Sequence, residues 1–174
     1  MTLPRRALIS ITSAHATLFQ GKETTGVFIS EALHPYKVLT AAGFEVHFTS
    51  ETGTNLQKIA AQVWANGGIV SAVCHGPALF ANLLDPATNE PIIKGKTITG
   101  FTTEAEITMG IMEELQSWGN DMIDGMAAKL GANYTRAQGI WDDYHVVDGR
   151  LVTGQNPASA RSTAQAAVEA FEKL

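Results

Sequence analysis

The hydrophobic positions of this chain follow a strand pattern and a helix pattern by turns. Three strand-like segments precede residue 75: "RRALISIT" (5–12), "FEVHFTS" (44–50) and "GIVSAVC" (68–74). The first alternates as a buried first strand does, and the third is a continuous apolar run, typical of a strand covered on both faces. Two segments that lie between these strands, 25–43 and 55–68, have apolar residues at helical spacing. This order predicts an α/β fold with a mostly parallel sheet and flanking helices.

Short motifs mark where several elements begin or end. Gly43 is a stop signal for the first helix, and the T-x-x-Q spacing of Thr54 and Gln57 predicts a capping box that opens the second. Asn156 stands as an N-cap, with Pro157 at the first position of the last helix. Four further elements are predicted after residue 75: a helix at 77–84, a short strand at 96–101, a helical region at 103–130, and a hairpin at 144–154 with Asp-Gly in its turn.

Composition narrows the class of protein. With 174 residues, of which 45% are hydrophobic and 17% charged, the chain is expected to form one domain over residues 1–174. A net charge of -5 with scattered Lys and Arg argues against nucleic acid and anionic membranes as partners. Polar residues interrupt the apolar start, and no stretch reaches the roughly 18 apolar residues of a membrane span. We therefore expect a cytoplasmic protein without a targeting signal.

The cysteine and histidine content argues against a metal centre. A single cysteine excludes a disulfide framework and a cysteine-based zinc site. The histidines show no helical ligand spacing; they stand at positions 15, 34, 47, 75 and 145. The sequence implies no metal and no cofactor.

The single cysteine, Cys74, follows the third strand directly and precedes a Gly-Pro helix start. Reactive groups of open α/β sheets collect at the carboxyl ends of strands, and a helix N-terminus lowers a thiol pKa. Gly76 permits the sharp turn there, and Pro77 is tolerated in the first helical turn. This context favours a nucleophile; the alternative is a small buried hydrophobe. His75 is either its acid-base partner or a surface histidine.

Five blocks of the sequence resemble the ThiJ/PfpI superfamily, and within it the fungal heat-shock-chaperone-like branch of glutathione-independent glyoxalases (glyoxalase III). These blocks are "EALHPY", "SETGT", "NGGIVSAVCHGPALFANL", "KGKTITGFTTEAE" and "WDDYHVVDGRLVTGQNPASA". The resemblance implies a flavodoxin-like three-layer α/β sandwich, a homodimer, and a D-lactate dehydratase-type lyase that turns methylglyoxal into D-lactate without a cofactor.

The resemblance also implies roles for individual residues. Cys74 is the nucleophile that forms a hemithioacetal, His75 the acid-base group, Glu106 the acid that orients it, and Glu31 the glutamate that hydrogen-bonds the cysteine. The His75 amide, beside the Gly76 turn, is a candidate oxyanion donor.

The two carboxylates also have ordinary structural interpretations. Thr103 and Glu106 have the spacing of a capping box, so the residues alone favour Glu106 as a helix cap. Glu31 lies in an amphipathic helix, where it is by default a solvated residue, three positions before His34. Trp141 and Asp142 either line a pocket or belong to a turn beside the hairpin. Glu104 is a neighbour of the matching acid position.

Thr54 runs directly into Asn55 where the resembling proteins carry a few dozen more residues. Those residues include a sheet strand and a glycine-histidine-glycine turn with a second oxyanion donor, so the sheet is expected to lack one strand. Two alternatives to an active glyoxalase remain. One is a holding chaperone for unfolded client proteins, or a redox sensor acting through Cys74. The other is a truncated isoform of impaired activity.

Overall fold

A computed structural model describes residues 3–12, 16–50 and 53–174 of the chain. His15 of the histidine set, and Glu51 and Thr52 of the block "SETGT", lie outside these ranges. Nine strands run as follows within them: β1 (Arg6–Ser10), β2 (Thr17–Leu18), β3 (Glu23–Thr24), β4 (Glu45–Thr49), β5 (Val70–Val73), β6 (Thr97–Ile98), β7 (Asn133–Tyr134), β8 (His145–Asp148) and β9 (Leu151–Gly154).

Six α-helices and three 3-10 helices connect these strands in the same part of the chain. The α-helices are α1 (Ile29–Ala41), α2 (Gly53–Ala65), α3 (Thr103–Met109), α4 (Met112–Ser117), α5 (Ile123–Lys129) and α6 (Ala160–Phe171). The 3-10 helices cover Phe19–Gly21, Gly76–Asn82 and Pro157–Ser159. None of the described helices is long and apolar enough to cross a bilayer.

The sheet is mostly parallel, as predicted, but it is divided into separate pieces. β1 pairs with β4 in parallel, and β5 pairs with β9 in parallel while β8 joins β9 as an antiparallel hairpin. β6 and β7 form a small parallel pair, and β2 and β3 a small antiparallel one. The described strands do not pair β1 with β5. A strand is therefore missing at this point, as the sequence predicts.

The hydrophobic core lies almost entirely after residue 59. Its main cluster runs from Ala60 to Leu151, and a smaller cluster joins Val152 to α6. Among the described residues up to 50, only Ala32 and Phe44 are buried. Helix α1 nonetheless packs along α6, and the Phe44 ring meets the Phe171 ring edge-on at 4.9 Å. The first third of the chain is thus attached to a core that it contributes little to.

Two predictions about strand burial are wrong. Leu8, in the middle of β1, is 45% exposed, and Ser71 of β5 is also exposed. A parallel strand is covered on both faces when helices pack on an extended sheet, whereas β5 has a strand neighbour on one edge only among the described residues.

Three predicted helix features also differ. Helix α2 begins at Gly53, so Thr54 is already helical, and Gln57 donates its amide to the Leu79 carbonyl (3.1 Å) rather than closing a capping box. The segment after Pro77 is a 3-10 helix. The long helical region is three helices, because Gly110 takes a left-handed φ of 72° that ends the first.

The strand predicted at 96–101 is shorter in the structure, where β6 covers only Thr97–Ile98. Three other predicted features are found. Gly43 follows α1 with a φ of 80°, and β8 and β9 form the predicted hairpin. Asn156 is an N-cap, as predicted, but it caps the 3-10 helix Pro157–Ser159 that precedes α6, by accepting the Ser159 amide (3.2 Å).

Candidate active site

Cys74 sits at the carboxyl end of β5 in a left-handed conformation, with a φ of 60°. Its amide donates to the Gly154 carbonyl (2.9 Å), and its own carbonyl accepts the Phe101 amide (2.8 Å). A non-glycine residue in this region costs on the order of 1–3 kcal/mol and persists only where the surroundings fix it. Two neighbouring segments therefore hold Cys74 in a strained turn. A side chain at Gly76 would press against Ala72 at 3.3 Å, so this turn also favours glycine.

Cys74, His75 and Glu106 form a continuous hydrogen-bonded relay. Cys74 Sγ lies 3.3 Å from His75 Nδ1, and His75 Nε2 lies 2.7 Å from Glu106 Oε1. A carboxylate accepts, so the proton of a neutral imidazole resides on Nε2 and the lone pair of Nδ1 faces the thiol. The imidazole is thereby oriented as a base toward the sulfur.

Glu106 projects inward from α3 and is 4% exposed. The N-cap of α3 is Thr102, whose hydroxyl accepts the Ala105 amide (3.1 Å), while the Thr103 hydroxyl donates to Asp124. The capping-box interpretation of Glu106 is therefore wrong, because its Oε1 bonds to His75 instead. Its other oxygen, Oε2, is buried with no hydrogen-bond partner in the described part of the chain.

Glu31 reaches the same sulfur from a different region of the chain. It stands in the first turn of α1, and its carboxyl lies close enough to the Cys74 thiol to interact with it. Burial raises the pKa of this carboxyl, although the contact with Cys74 opposes the shift. The interpretation as a solvated surface residue is therefore wrong. Glu31 Oε1 has no partner among the described residues, which leaves an acceptor beside the thiol.

The pKa of the Cys74 thiol is raised, mainly by burial and then by the Glu31 carboxylate beside it. The expectation of a lowered pKa from a helix N-terminus is wrong for two physical reasons. The thiol is only 6% exposed, and the helix that follows is a 3-10 helix whose effect is limited to a backbone contact from His75. The resting thiol therefore keeps its proton until a neighbouring base accepts it.

One aromatic ring packs against His75, and a second ring packs against the first. The Phe101 ring stacks on the imidazole at 4.4 Å, and the Trp141 ring lies 5.8 Å from Phe101. Sequence reasoning missed Phe101. The only signal was its place after a short strand, because the carboxyl ends of neighbouring parallel strands meet at one edge. Asp142 accepts the Gly139 amide (2.9 Å) and so forms a turn.

Glu104, the neighbour of the relay acid, points elsewhere and pairs with Arg136 at 2.8 Å. Within the described ranges, no group of three or more His, Cys, Asp or Glu side chains is placed to hold a metal ion.

Comparison with known proteins shows which family the chain belongs to. The glutathione-independent glyoxalase HSP31 of Saccharomyces cerevisiae is 34% identical, in an alignment that covers 97% of this chain and 99% of that protein. The crystal structure of glyoxalase III from Candida albicans superposes with a TM-score of 0.92 and 35% identity. The superposition covers 97% of this chain and 98% of the other. No protein-family model matches the chain.

The comparisons also measure what the chain lacks. The alignment with the Saccharomyces protein runs over 234 positions whereas this chain has 174 residues, so at least 60 positions have no counterpart here. The ThiJ/PfpI domain protein of Brachyspira murdochii, at 14% identity and a TM-score of 0.62, shares the fold. The predicted flavodoxin-like class is confirmed on this basis, together with a shortened chain.

Proposed function

We propose, from the premise that this chain belongs to the family of glutathione-independent glyoxalases, that it converts methylglyoxal to D-lactate through a hemithioacetal on Cys74. The observation that supports this proposal is the relay from Cys74 Sγ through His75 to Glu106, with the Glu31 carboxyl on the same sulfur. A second group on the thiol distinguishes this arrangement from a structural cysteine.

The first step is addition of the thiol to the aldehyde. His75 Nδ1, 3.3 Å from Sγ, accepts the thiol proton as sulfur bonds to the aldehyde carbon. The carbonyl oxygen gains the electron pair and then takes the proton back from His75, which gives a hemithioacetal and a neutral imidazole. The imidazolium that forms meanwhile is stabilised by Glu106 at 2.7 Å.

The second step moves a proton from the former aldehyde carbon of methylglyoxal to the adjacent ketone carbon. A base removes the hydrogen from the carbon that carries sulfur, an enediol forms, and a proton is returned to the adjacent carbon. Glu31 is the candidate for this exchange. Its Oε1 has no partner among the described residues, and its raised pKa brings proton uptake closer to neutral pH. The product is the thioester of a 2-hydroxy acid, so no external oxidant or reductant is needed.

The last step is hydrolysis of that thioester. His75 accepts a proton from water as the water oxygen attacks the carbonyl carbon, the carbon–sulfur bond breaks, and the thiolate takes that proton from the imidazolium. The His75 amide, which contacts the sulfur, and the Gly76 turn are the candidate donors to the oxyanion. The resemblance implies a second oxyanion donor among the positions that have no counterpart in this chain.

Turnover without glutathione tests the proposal. Purified protein is incubated with methylglyoxal, and D-lactate is measured with a stereospecific coupled assay. Cys74→Ser removes the acidic thiol and is expected to abolish D-lactate formation while the melting temperature changes little.

A matched histidine pair separates chemistry from folding. His75→Gln is expected to lose activity by about 100-fold or more, whereas His145→Gln, on the exposed side of β8, keeps it. D-lactate formation that survives Cys74→Ser would contradict the assigned nucleophile.

A second candidate function is suggested by exposed apolar side chains before α1. Val27, Phe28 and Ile29 are consecutive and are 43%, 62% and 76% exposed. Such a patch supports a homodimer contact or the holding of unfolded client proteins in the cytoplasm. Light scattering, and suppression of the aggregation of a heated test enzyme, measure these two possibilities. Redox sensing is disfavoured, because the Cys74 thiol is buried and its pKa is raised.

A further inference from the structure

The break in the sheet has the form of an unfilled strand position. β1 pairs with β4 on one edge, and β5 pairs with β9 on one edge. Neither β1 nor β5 has a second strand neighbour in the part of the chain that the structure describes. A cavity of about 650 Å³ lies between them and is lined along the length of both. We call this cavity the strand slot.

The backbone of both strands presents hydrogen-bonding groups to the strand slot. Glu45 N bonds to the Arg5 carbonyl, and Val70 N bonds to the Arg150 carbonyl. Successive residues of a strand direct their backbone groups to opposite edges. The N–H and C=O groups that face the slot therefore belong to the alternate residues, which include Leu8, Ser10, Ser71 and Val73.

The walls of the strand slot are apolar. Helices α1 and α6 contribute Leu39, Ala167 and Phe171, while α2 contributes Ile59 and Val63. Side chains of a strand point alternately to opposite faces, so an occupant that meets these walls is apolar on both faces. The connection from β4 through α2 to β5 is a strand–helix–strand crossover, which joins parallel strands. An occupant parallel to β1 and β5 fits this arrangement.

We propose that the strand slot binds an extended segment of another polypeptide, about five residues long and apolar on both faces, as an added parallel strand. Backbone hydrogen bonds to both edges supply the affinity, and the helix walls select apolar side chains. The lengths of β1 and β5, five and four residues, set the length of the segment. The relatives, with at least 60 more positions, supply the natural probe sequences.

The strand slot opens at the candidate active site. Glu31 and Gly76 line it, and both lie beside Cys74. Residues that follow a bound strand would therefore emerge next to the thiol. Binding of a peptide in the strand slot does not require an active enzyme. It is therefore measured directly, and its failure is distinguishable from a failure of the proposed function.

Tiled peptides test the proposal on the intact 174-residue protein. Fluorescent peptides of about ten residues, enough for one strand, cover the positions of Candida albicans glyoxalase 3 that have no counterpart here. One tile is expected to bind in fluorescence anisotropy, and its scrambled version is not. N-methylation at alternate positions of that tile should weaken binding at least ~10-fold, because it removes backbone donors and keeps the side chains.

Variants on α6 give a second, independent measurement. Ala167→Trp fills the strand slot and should abolish binding, whereas Gln165→Trp, exposed on the same helix, should leave it unchanged. Circular dichroism confirms that both fold. The bound peptide should also slow hydrogen exchange of the Ser71 and Val73 amides by at least ~10-fold.

Several outcomes would overturn the proposal. They are no binding by any tile, equal binding by the N-methylated tile, and equal binding by Ala167→Trp. A dimer in which the Ser71 and Val73 amides are already protected without peptide would assign the slot to a second copy of this chain instead.

Discussion

The segments before and after residue 52 bury their apolar residues very differently. From Gly53 onward, α2, β5 and the later elements enclose a continuous core that includes Phe80, Ile93 and Ile98, each 0% exposed. Before it, β1, α1 and β4 leave Leu8, Phe28 and several other large apolar side chains open. Part of the difference follows from the sheet, because β1 has a strand neighbour on one edge only in the described part of the chain, so fewer elements pack around its side chains.

The candidate active site spans both segments. Cys74, His75 and Glu106 belong to the well-packed segment, where their relay is fixed by backbone contacts on both sides of the turn. Glu31 belongs to the poorly packed one and approaches the thiol across the strand slot. We conclude that the relay is the rigid half of the site and that the position of Glu31 depends on how firmly the first segment is held.

Filling the break in the sheet should reduce the difference in packing between the two segments most, and it should have the largest effect on turnover. Inserting the relatives' extra positions between Thr54 and Asn55 is expected to raise turnover by roughly 100- to 1000-fold, the usual worth of one oxyanion donor. It should also raise the melting temperature, because the edges of β1 and β5 become paired. Turnover and thermal melts of both versions check this. Equal turnover, with an equally sharp melt for the short chain, would show that it completes its site unaided.

Substitutions of the relay residues in the well-packed segment should lower kcat without changing how either segment packs. Glu106→Gln keeps the size of the side chain but removes the charge that stabilises the His75 imidazolium, so kcat should fall about 100-fold. Glu104→Gln breaks only the surface pair with Arg136 and is the matched control. The measurements are kcat and melting temperature. A loss of stability with an unchanged rate would return Glu106 to a structural role.

Local patterns in the sequence were sufficient for much of the fold. Alternation and helical spacing predicted β1, α1, β4, α2 and β5, because each period is a property of one segment. The resemblance also indicated which acid meets His75, Glu106 rather than Glu104, and the structure places the carboxylates accordingly.

Features that depend on tertiary neighbours were beyond these patterns. The sequence does contain the capping-box spacing at Thr103. Glu106 contacts His75 instead, because the folded chain brings α3 beside the Cys74 turn, which the spacing does not reveal. The direction of the Cys74 pKa shift depends on burial and on a carboxyl that lies 43 positions earlier in the sequence. The exposure of Leu8 depends on a second strand neighbour, which the described part of the chain does not supply.

The alkylation rate of Cys74 measures how well the thiol is buried where the two segments meet. Its pKa is raised above the ordinary 9.0 by burial and by Glu31, so less thiolate exists at any given pH than in free cysteine. Iodoacetamide at pH 7 should label it at least ~10-fold more slowly than free cysteine, with a rate still rising above pH 9. The chain unfolded in urea, which labels like free cysteine, is the control. Fast labelling at pH 6 would show a thiolate stabilised by the turn.

The smallest expected effect is on stability and comes from Glu31. Burial raises the pKa of its carboxyl in the folded state, so between the ordinary value of 4.5 and the raised one the folded chain holds more protons than the unfolded chain. Stability therefore falls as pH rises through this window. Glu31→Gln removes the titration, so the variant should gain melting temperature over the parent at pH 7.5 and little at pH 4. Glu23→Gln, exposed in the same poorly packed segment, is the matched control. A gain of the same size at both pH values would mean that Glu31 is solvated, and that the first segment does not hold it against the thiol in solution.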